Sequence, residues 1–238
     1  MSTSLDSTEK PFCTSKLTNM TSDAATVVID NGTHTIKIGF GGDDAPKSVY
    51  PSSPQVTGAP TAENGPTLNW DSVEATWRDG ITNHLGVDEP SGRNVLLSRS
   101  LQQPLSELTK TTEILFESFR CAGITLPLQP VLSLYANGGT TGLVVDVGHR
   151  RTSVLPVYEG FAVPEGGKVL PYAGEALTNH LMAVLGRTAE EREQQGVVRA
   201  FEELKERWCR VSHGAENGAN EVPEKYMLPS GEVGKNLF

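Results

Sequence analysis

Val27–Gly32, with the sequence VVIDNG, and Leu143–Gly148, with the sequence LVVDVG, are the two stretches that decide the fold. Each is an apolar run that ends in Asp-x-Gly. Each is followed by a second strand-like run, Thr35–Phe40 in the first case and Thr152–Tyr158 in the second. An apolar run of this length is typical of a buried strand, and a glycine that tolerates positive φ favours a tight reversal into the next strand. The repeat therefore predicts two β-hairpins of the same kind.

The turn of such a hairpin has a chemistry of its own. Successive backbone N–H groups in the turn form a concavity that suits phosphate oxygens, and an Asp at the strand end can orient a magnesium-bound water. Two hairpins that face each other would hold the phosphate tail of a nucleotide from both sides. The pattern alone is equally consistent with two ordinary Asp-Gly hairpins that bind nothing, so both interpretations stay open at this point.

Composition excludes several classes of protein. The chain has 238 residues and a net charge of −9, with no cluster of Lys and Arg, which argues against nucleic-acid binding. Cys13, Cys121 and Cys209 are odd in number and far apart, so reduced thiols in a cytosol-like compartment are expected rather than disulfides or a zinc site. We expect no membrane span and no secretory signal, because the required apolar stretches are absent from this sequence.

Three stretches of unusual composition divide the chain. Residues 1–25 are rich in Ser and Thr and are predicted to be a disordered or partner-ordered tail. Residues 46–68 contain five prolines and are predicted to be a loop. The Gly- and Asn-rich residues 214–238 are predicted to be irregular.

Between these stretches, helical and strand-like patterns alternate, which favours an α/β fold. The first helix is predicted to begin after the N-cap Asn69, with Trp70, Val73, Trp77, Ile81 and Leu85 on one face. Four further helices are predicted at about Pro104–Phe119, Val131–Ala136, Glu175–Leu185 and Val197–Trp208, and a short strand at Asn94–Leu97. Leu105, Leu108, Ile114, Leu115 and Phe119 form the predicted apolar side of the second helix.

Several segments of the chain resemble actin and the actin-related proteins, and they occur in the same order. They are Asp30–Pro46, Asn69–Asp71, Leu128–Ala136, Gly138–Asp146, Val157–Gly160, Leu204–Cys209 and Glu224–Gly231. The resemblance implies the α/β, ribonuclease H-like fold of the actin-like ATPases. It implies a first lobe over residues 26–136 and an incomplete second lobe over residues 137–238.

The resemblance also implies roles for particular residues around ATP or ADP with Mg2+. Asp30 and Asp146 would hold the water shell of the metal, and Gln129 would position the attacking water. The implied nucleotide contacts are Gly32, Thr33 and Lys37 in the first loop, Gly148 in the second loop, and Lys205 and Glu206 on the adenosine side. The alternatives are a buried hinge hydrogen bond for Gln129 and a solvated helix face for Lys205 and Glu206.

The chain departs from the family pattern around the phosphates. His149–Arg150 stand where the family has Asp-Gly, Ser153 replaces a water-positioning histidine, and His34 replaces a glycine. Glu175–Ala176 replace an Arg-Asp pair. A side chain at His34 or Arg150 would crowd the phosphates, or Arg150 would instead add a charge-assisted contact to them. Loss of a catalytic group costs ~10²–10⁴-fold in rate, so we expect ATP hydrolysis to be slow or absent.

The stretch between Pro46 and Asn69 is far shorter than in actin, so most of the filament-contact subdomain (residues 46–68) is expected to be missing. The resemblance also places Phe238 before the adenosine clamp, from which we expect weak nucleotide binding and exposed apolar surface on the second lobe. Together these features indicate a non-polymerising structural subunit of a larger cytoskeletal assembly in the cytoplasm, such as a motility or axonemal complex. Its expected partners are protein subunits, not nucleic acid or membrane. The alternatives are an ATP-binding actin-family switch and an actin-related scaffold of a nuclear chromatin complex.

Overall fold

The strands of the described residues form two main sheets and two short antiparallel strand pairs. The computed structural model describes residues 25–52, 56–57, 67–88, 90–188, 190, 194–210, 225–227 and 233–235. The predicted tail, residues 1–25, therefore lies almost wholly outside the described residues. The strands are β1 Val27–Asn31, β2 Thr35–Phe40, β3 Ser48–Pro51, β4 Val56–Thr57, β5 Thr67–Leu68, β6 Asn94–Leu97, β7 Gly123–Thr125, β8 Gly142–Val147, β9 Thr152–Tyr158, β10 Phe161–Ala162, β11 Lys168–Leu170, β12 Lys225–Met227 and β13 Val233–Lys235.

Five α-helices accompany these strands in the described part of the chain. They are α1 Trp70–Asp79, α2 Leu105–Glu113, α3 Gln129–Ala136, α4 Gly174–Val184 and α5 Gln195–Trp208. The first two continue as π-helical turns over Gly80–His84 and Ile114–Ser118. No helix among the described residues is long and apolar enough to cross a bilayer.

The chain divides into two compact units. The first consists of the described residues within Met1–Asn31, Thr35–Arg99 and Gln103–Pro127. The second consists of those within Gly32–His34, Ser100–Gln102 and Leu128–Phe238. The main division falls between Pro127 and Leu128, because α3 packs on β8 and β9.

The first unit contains a five-stranded sheet in the order β3-β2-β1-β6-β7. β1 pairs antiparallel with β2 and parallel with β6, which brings the carboxyl ends of β1 and β6 to the same edge of the sheet. One face of β1 and β2 packs with α1 in a buried core that includes Ile29, Ile38, Trp77 and Leu115. β1 lies between β2 and β6. This position holds Asp30 and Asn31, the residues at the carboxyl end of β1, in place.

The N-terminus of α1 is fixed as the sequence predicts. The Asn69 side chain accepts a hydrogen bond from the Ser72 backbone N–H at 3.2 Å, which satisfies one of the free amides of the first turn. Val73, Trp77 and Ile81 are buried on one face. The predicted start of α1 and its apolar face are confirmed.

The second unit contains an antiparallel sheet in which β9 pairs with β8, β10 and β11. Helix α3 packs on one face of this sheet over Val144, Leu155 and Val157. Helices α4 and α5 form a separate cluster around Met182 and Phe201. Gly186 adopts a positive φ of 73° and ends α4, as the sequence predicts.

Several predictions about local structure are wrong. Residues 48–51 are not loop, because β3 adds to the edge of the first sheet by pairing with β2, and residues 225–227 and 233–235 form a hairpin rather than an irregular segment. Leu105 is 78 % exposed, since it lies in the first turn of α2, ahead of the buried residues at the other end of that helix. Neither Gly32 nor Gly148 has a positive φ, although the sequence predicts that these glycines allow the tight reversals through a positive φ.

Candidate functional site

The first hairpin brings two of the candidate residues into direct contact. Asp30 on β1 and Lys37 on β2 are cross-strand partners, and Lys37 Nζ lies 3.0 Å from Asp30 Oδ2. The side chains are 36 % and 49 % exposed, respectively. The lysine charge that the resemblance assigns to phosphate is therefore balanced within the hairpin itself.

Ser98 belongs to this arrangement although sequence analysis did not select it. Its hydroxyl donates to Asp30 Oδ1 at 2.6 Å and accepts from the Asn31 backbone N–H at 3.3 Å. The Asn31 side chain is held in turn by Trp77 Nε1, 3.3 Å from Asn31 Oδ1. Ser98 directly follows β6, and the parallel pairing of β6 with β1 places it beside Asp30. That pairing was the signal that could have identified it.

Asp30 and Lys37 also line a cavity of about 270 Å³ within the first unit. The other charged lining residues are Asp43 and Asp44. Three carboxylates and one ammonium make this cavity electronegative. As it stands, its charge suits a cation better than a phosphate.

The turn of the second hairpin uses its backbone groups internally. The Gly148 N–H donates to the Arg151 carbonyl at 3.0 Å, and the carbonyls of Gly148 and His149 accept from the first amides of α4 at 3.1 and 2.7 Å. A Cβ at Gly148 would lie 3.1 Å from the Arg151 carbonyl oxygen. The glycine thus avoids a tight contact with this carbonyl and does not adopt a positive φ, and its N–H is committed to the turn.

Asp146 lies on β8 directly opposite Ser153 of β9. Both side chains are half-buried. Ser153 stands where the resemblance expects a histidine, so the cross-strand neighbour of Asp146 is a neutral hydroxyl.

The remaining candidates on the helices differ in their surroundings. Lys205 Nζ donates to the Gly174 carbonyl at 2.9 Å and to Thr178 Oγ1 at 2.8 Å, so it ties α5 to the first turn of α4. Glu206 is exposed on α5. Gln129 is half-buried at the start of α3, and its carbonyl accepts from Ser133 Oγ at 3.2 Å.

Histidines occupy both turns. His34 and His149 stack with ring centroids 4.5 Å apart, and the Nδ1 atoms of His34 and His149 lie 4.0 and 3.9 Å, respectively, from Glu202 Oε1. Burial, followed by the neighbouring His34, lowers the pKa of His149. Arg150 next to it pairs with Glu175, with Nε 3.4 Å from Oε2. Sequence analysis noted both histidines as departures from the family pattern but did not connect them to Glu202.

The candidates are distributed over both units. Asp30 and Lys37 belong to the first unit. The others belong to the second, and they are Gly32, Thr33, Gln129, Asp146, Gly148, Lys205 and Glu206. Thr33 is exposed in the turn between β1 and β2.

A comparison with protein families supplies the identity that this geometry alone does not. The family model for actin matches residues 21–63 and residues 55–191, which together are more than half of the chain. The two matched segments meet within residues 55–63, inside the proline-rich stretch. The match covers both Asp-x-Gly hairpins, the strand–helix order between them and α3. The mixed α/β architecture of the structure agrees with that assignment, and the chain belongs to the actin family.

Proposed function

We propose that the protein is a non-polymerising structural subunit of the actin family, held in a larger cytoskeletal assembly in the cytoplasm by another protein subunit. The observation that carries the proposal is an apolar face of the second sheet. On β8, Leu143, Val145 and Val147 are 66 %, 58 % and 62 % exposed. We call this surface, together with the cross-strand Val154 and Pro156, the β8 face.

The β8 face is contiguous because directly opposed residues of antiparallel strands point to the same side. Leu143 opposes Pro156, and Val145 opposes Val154. The other side of the same two strands is covered by α3. Contiguous exposed apolar surface of this kind marks interaction sites in soluble proteins.

Energetics favour a partner on this surface. Burial of one Val or Leu side chain stabilises by about 1.5–3 kcal/mol. Three such side chains on one strand could therefore supply the apolar centre of an interface, with the ordering cost of association set against them. An apolar patch without charges at its centre fits another protein subunit rather than nucleic acid.

The short length of the stretch between β3 and α1 supports the proposal that the chain does not polymerise. Between Pro51 and Trp70 the chain has 18 residues, where the resemblance expects the much longer filament-contact subdomain of actin. The two family-matched segments also meet in this stretch. A chain that lacks most of this subdomain lacks one of the surfaces through which an actin filament would grow.

The described residues fit a tightly bound nucleotide poorly. Asp30 balances the Lys37 charge, the Gly148 N–H is bonded to Arg151, and Lys205 is bonded to the first turn of α4. Each of these contacts would have to open before the group could bind ATP or ADP with Mg2+. We therefore propose weak or absent nucleotide binding and, if any, slow hydrolysis, which separates this role from that of an ATP-binding switch.

Copurification with the tagged full-length chain, as wild type and as the variant Val145→Asp, tests whether a partner binds the β8 face. We expect a stoichiometric set of subunits to copurify with the wild type and to be lost with Val145→Asp. Val49→Asp is the matched control, because Val49 is a similarly exposed valine, at 55 %, on β3 of the first unit. Equal recovery of the subunits with both variants contradicts the proposal.

The identity of the subunits then separates the alternatives. Motor or axonemal subunits support the proposal, whereas chromatin-remodelling subunits would make the chain a nuclear scaffold. Should the isolated Val145→Asp chain be much less stable than wild type, the β8 face is covered by this chain itself and the docking role is wrong. Sedimentation of the purified chain under conditions that polymerise actin should leave it in the supernatant, and helical filaments in the pellet would overturn the non-polymerising role.

A further inference from the structure

The turns of both hairpins and helix α5 bring two imidazoles and one carboxylate together within the second unit. His34, His149 and Glu202 each offer a ligand atom, and these atoms lie within 4.8 Å of one another. Both imidazoles approach the same oxygen through Nδ1, at 4.0 and 3.9 Å from Glu202 Oε1. We propose that these three residues bind one divalent transition-metal ion of the Zn2+ class.

The two rings lie near the same carboxylate without forming hydrogen bonds to it. Distances of 3.9 and 4.0 Å are too long for hydrogen bonds, although the Nδ1 atoms of both rings lie about equally far from one carboxylate oxygen. The side chain of Glu202 is only 14 % exposed, and a largely buried carboxylate requires a compensating partner. A cation between the three atoms would provide that partner and bond to all of them.

An ion would require the three ligand atoms to move closer together and the stacked rings of His34 and His149, 28° apart in plane, to turn relative to each other. A tetrahedral Zn2+ with bonds of about 2.0–2.1 Å holds its ligand atoms about 3.3 Å apart. The two nitrogen–oxygen distances would have to shorten by about 0.6–0.7 Å, and the separation of the two nitrogens, which lies within 4.8 Å, by up to about 1.5 Å. His34 can make such a movement, because its side chain is 52 % exposed on a turn. His149 and Glu202, at 21 % and 14 % exposure, are the more buried part of the site.

The charges around the site are compatible with a dication. Arg150, the nearest guanidinium in sequence, is paired with Glu175 at 3.4 Å, so its positive charge is partly balanced. Lys205, on the same helix as Glu202, is directed into the Gly174 carbonyl and Thr178. The ion would therefore meet one carboxylate, two imidazoles and no uncompensated lysine from α5.

The ligand set selects the class of metal. Two imidazole nitrogens and one carboxylate oxygen suit Zn2+ and neighbouring transition ions, whereas Mg2+ prefers six oxygen ligands in an octahedron. Three protein ligands leave a fourth tetrahedral position open for water or for an oxygen of a further ligand. Both histidines stand at positions where the resemblance to actin places other residues, so the site is a feature of this chain and not one carried over from the family.

The test is titration of the metal-free full-length chain with Zn2+ in competition with a chromophoric chelator. We expect one equivalent to bind to the wild type, and Mg2+ not to compete. His34→Gln, His149→Gln and Glu202→Gln should each weaken binding at least about 10–100-fold. His180→Gln is the matched control, because His180 is exposed on α4 outside the cluster, and it should bind like the wild type.

Co2+ provides a second readout that does not depend on affinity. A tetrahedral Co2+ spectrum without a sulfur-to-cobalt band, lost in His149→Gln, supports the site. A strong sulfur-to-cobalt band places the ion on cysteine and overturns the proposal, as does equal Zn2+ binding by His34→Gln and His180→Gln. Because His34 lies exposed in a turn, His34→Gln decides the question even if Glu202→Gln fails to fold.

Discussion

The two Asp-x-Gly strands are alike in sequence, yet they bury opposite faces. In β1, Val27 and Ile29 are fully buried at 0 % exposure. The residues at the corresponding positions of β8, Leu143 and Val145, are 66 % and 58 % exposed. Val144, between them, is the one that is buried, at 9 %.

The difference follows from what packs against each sheet. In the first unit, α1 covers the side that carries Val27 and Ile29, with Trp77 in the core. In the second unit, α3 covers the side that carries Val144. Both strands are apolar on both faces, so their sequences do not specify which face turns inward. The same motif therefore yields a closed core in one unit and an exposed apolar surface in the other.

Truncation of equivalent residues in the two strands should give the largest difference in stability. Ile29→Ala should lower the free energy of unfolding of the first unit by about 2–5 kcal/mol, because it leaves a cavity in a packed core. Val145→Ala, at the equivalent position of β8, should change the stability of the isolated chain by less than about 0.5 kcal/mol. Urea denaturation followed by tryptophan fluorescence measures both. Comparable losses in the two variants would show that the β8 face is covered.

The hydroxyl of Ser98 should stabilise the end of β1, and its removal should lower the free energy of unfolding. Ser98→Ala removes the hydroxyl that bonds to Asp30 and to the Asn31 N–H, and should cost about 1–3 kcal/mol because the acceptor is charged and Ser98 is buried. Ser106→Ala is the control, since Ser106 is exposed on α2. Urea denaturation of both variants decides, and equal stabilities would indicate that water replaces the Ser98 hydroxyl.

The pH dependence should distinguish the units further. Burial raises the pKa of Cys121, in the first unit, to about 11 from its ordinary value of 9.0. The folded thiol holds its proton more tightly than the unfolded thiol, so unfolding releases a proton between these values and the free energy of unfolding falls as pH rises. We expect a loss of about 1–2 kcal/mol between pH about 8 and about 10.5.

Denaturation of Cys121→Ala over the same pH range is the measurement that isolates this effect. The variant should lose less stability with rising pH than the wild type does. Burial and the neighbouring Asp79 raise the pKa of Tyr50 to about 12, so Tyr50→Phe is the companion variant at the upper end of the range. Parallel curves for the wild type and Cys121→Ala would contradict the assignment to the thiol.

The smallest effect is expected at the Arg150–Glu175 pair in the turn of the second hairpin. Its side chains are 47 % and 45 % exposed, and exposed ion pairs contribute about 0–1 kcal/mol. Glu175→Gln should therefore change the free energy of unfolding by less than about 0.5 kcal/mol, and less still in high salt. A larger loss, measured by urea denaturation at low and high salt, would mean that the pair organises the turn and the start of α4.

The sequence by itself determined the family and most of the local structure. The Asn69 cap, the apolar stripe of α1, the strand Asn94–Leu97 and the end of α4 at Gly186 all depend on contacts within a few residues, and the structure confirms them. The candidate phosphate and metal contacts also came from local motifs and resemblance, and their roles stay predictions.

Only the tertiary structure decided which faces are buried and which polar groups meet. The bond from Ser98 to Asp30 spans 68 residues, and the tie from Lys205 to Gly174 spans 31. The convergence of His34, His149 and Glu202 joins two turns and a helix that are far apart in sequence. Local patterns carry no information about such pairings, because strand order and helix packing are set by the burial of apolar surface over the whole unit.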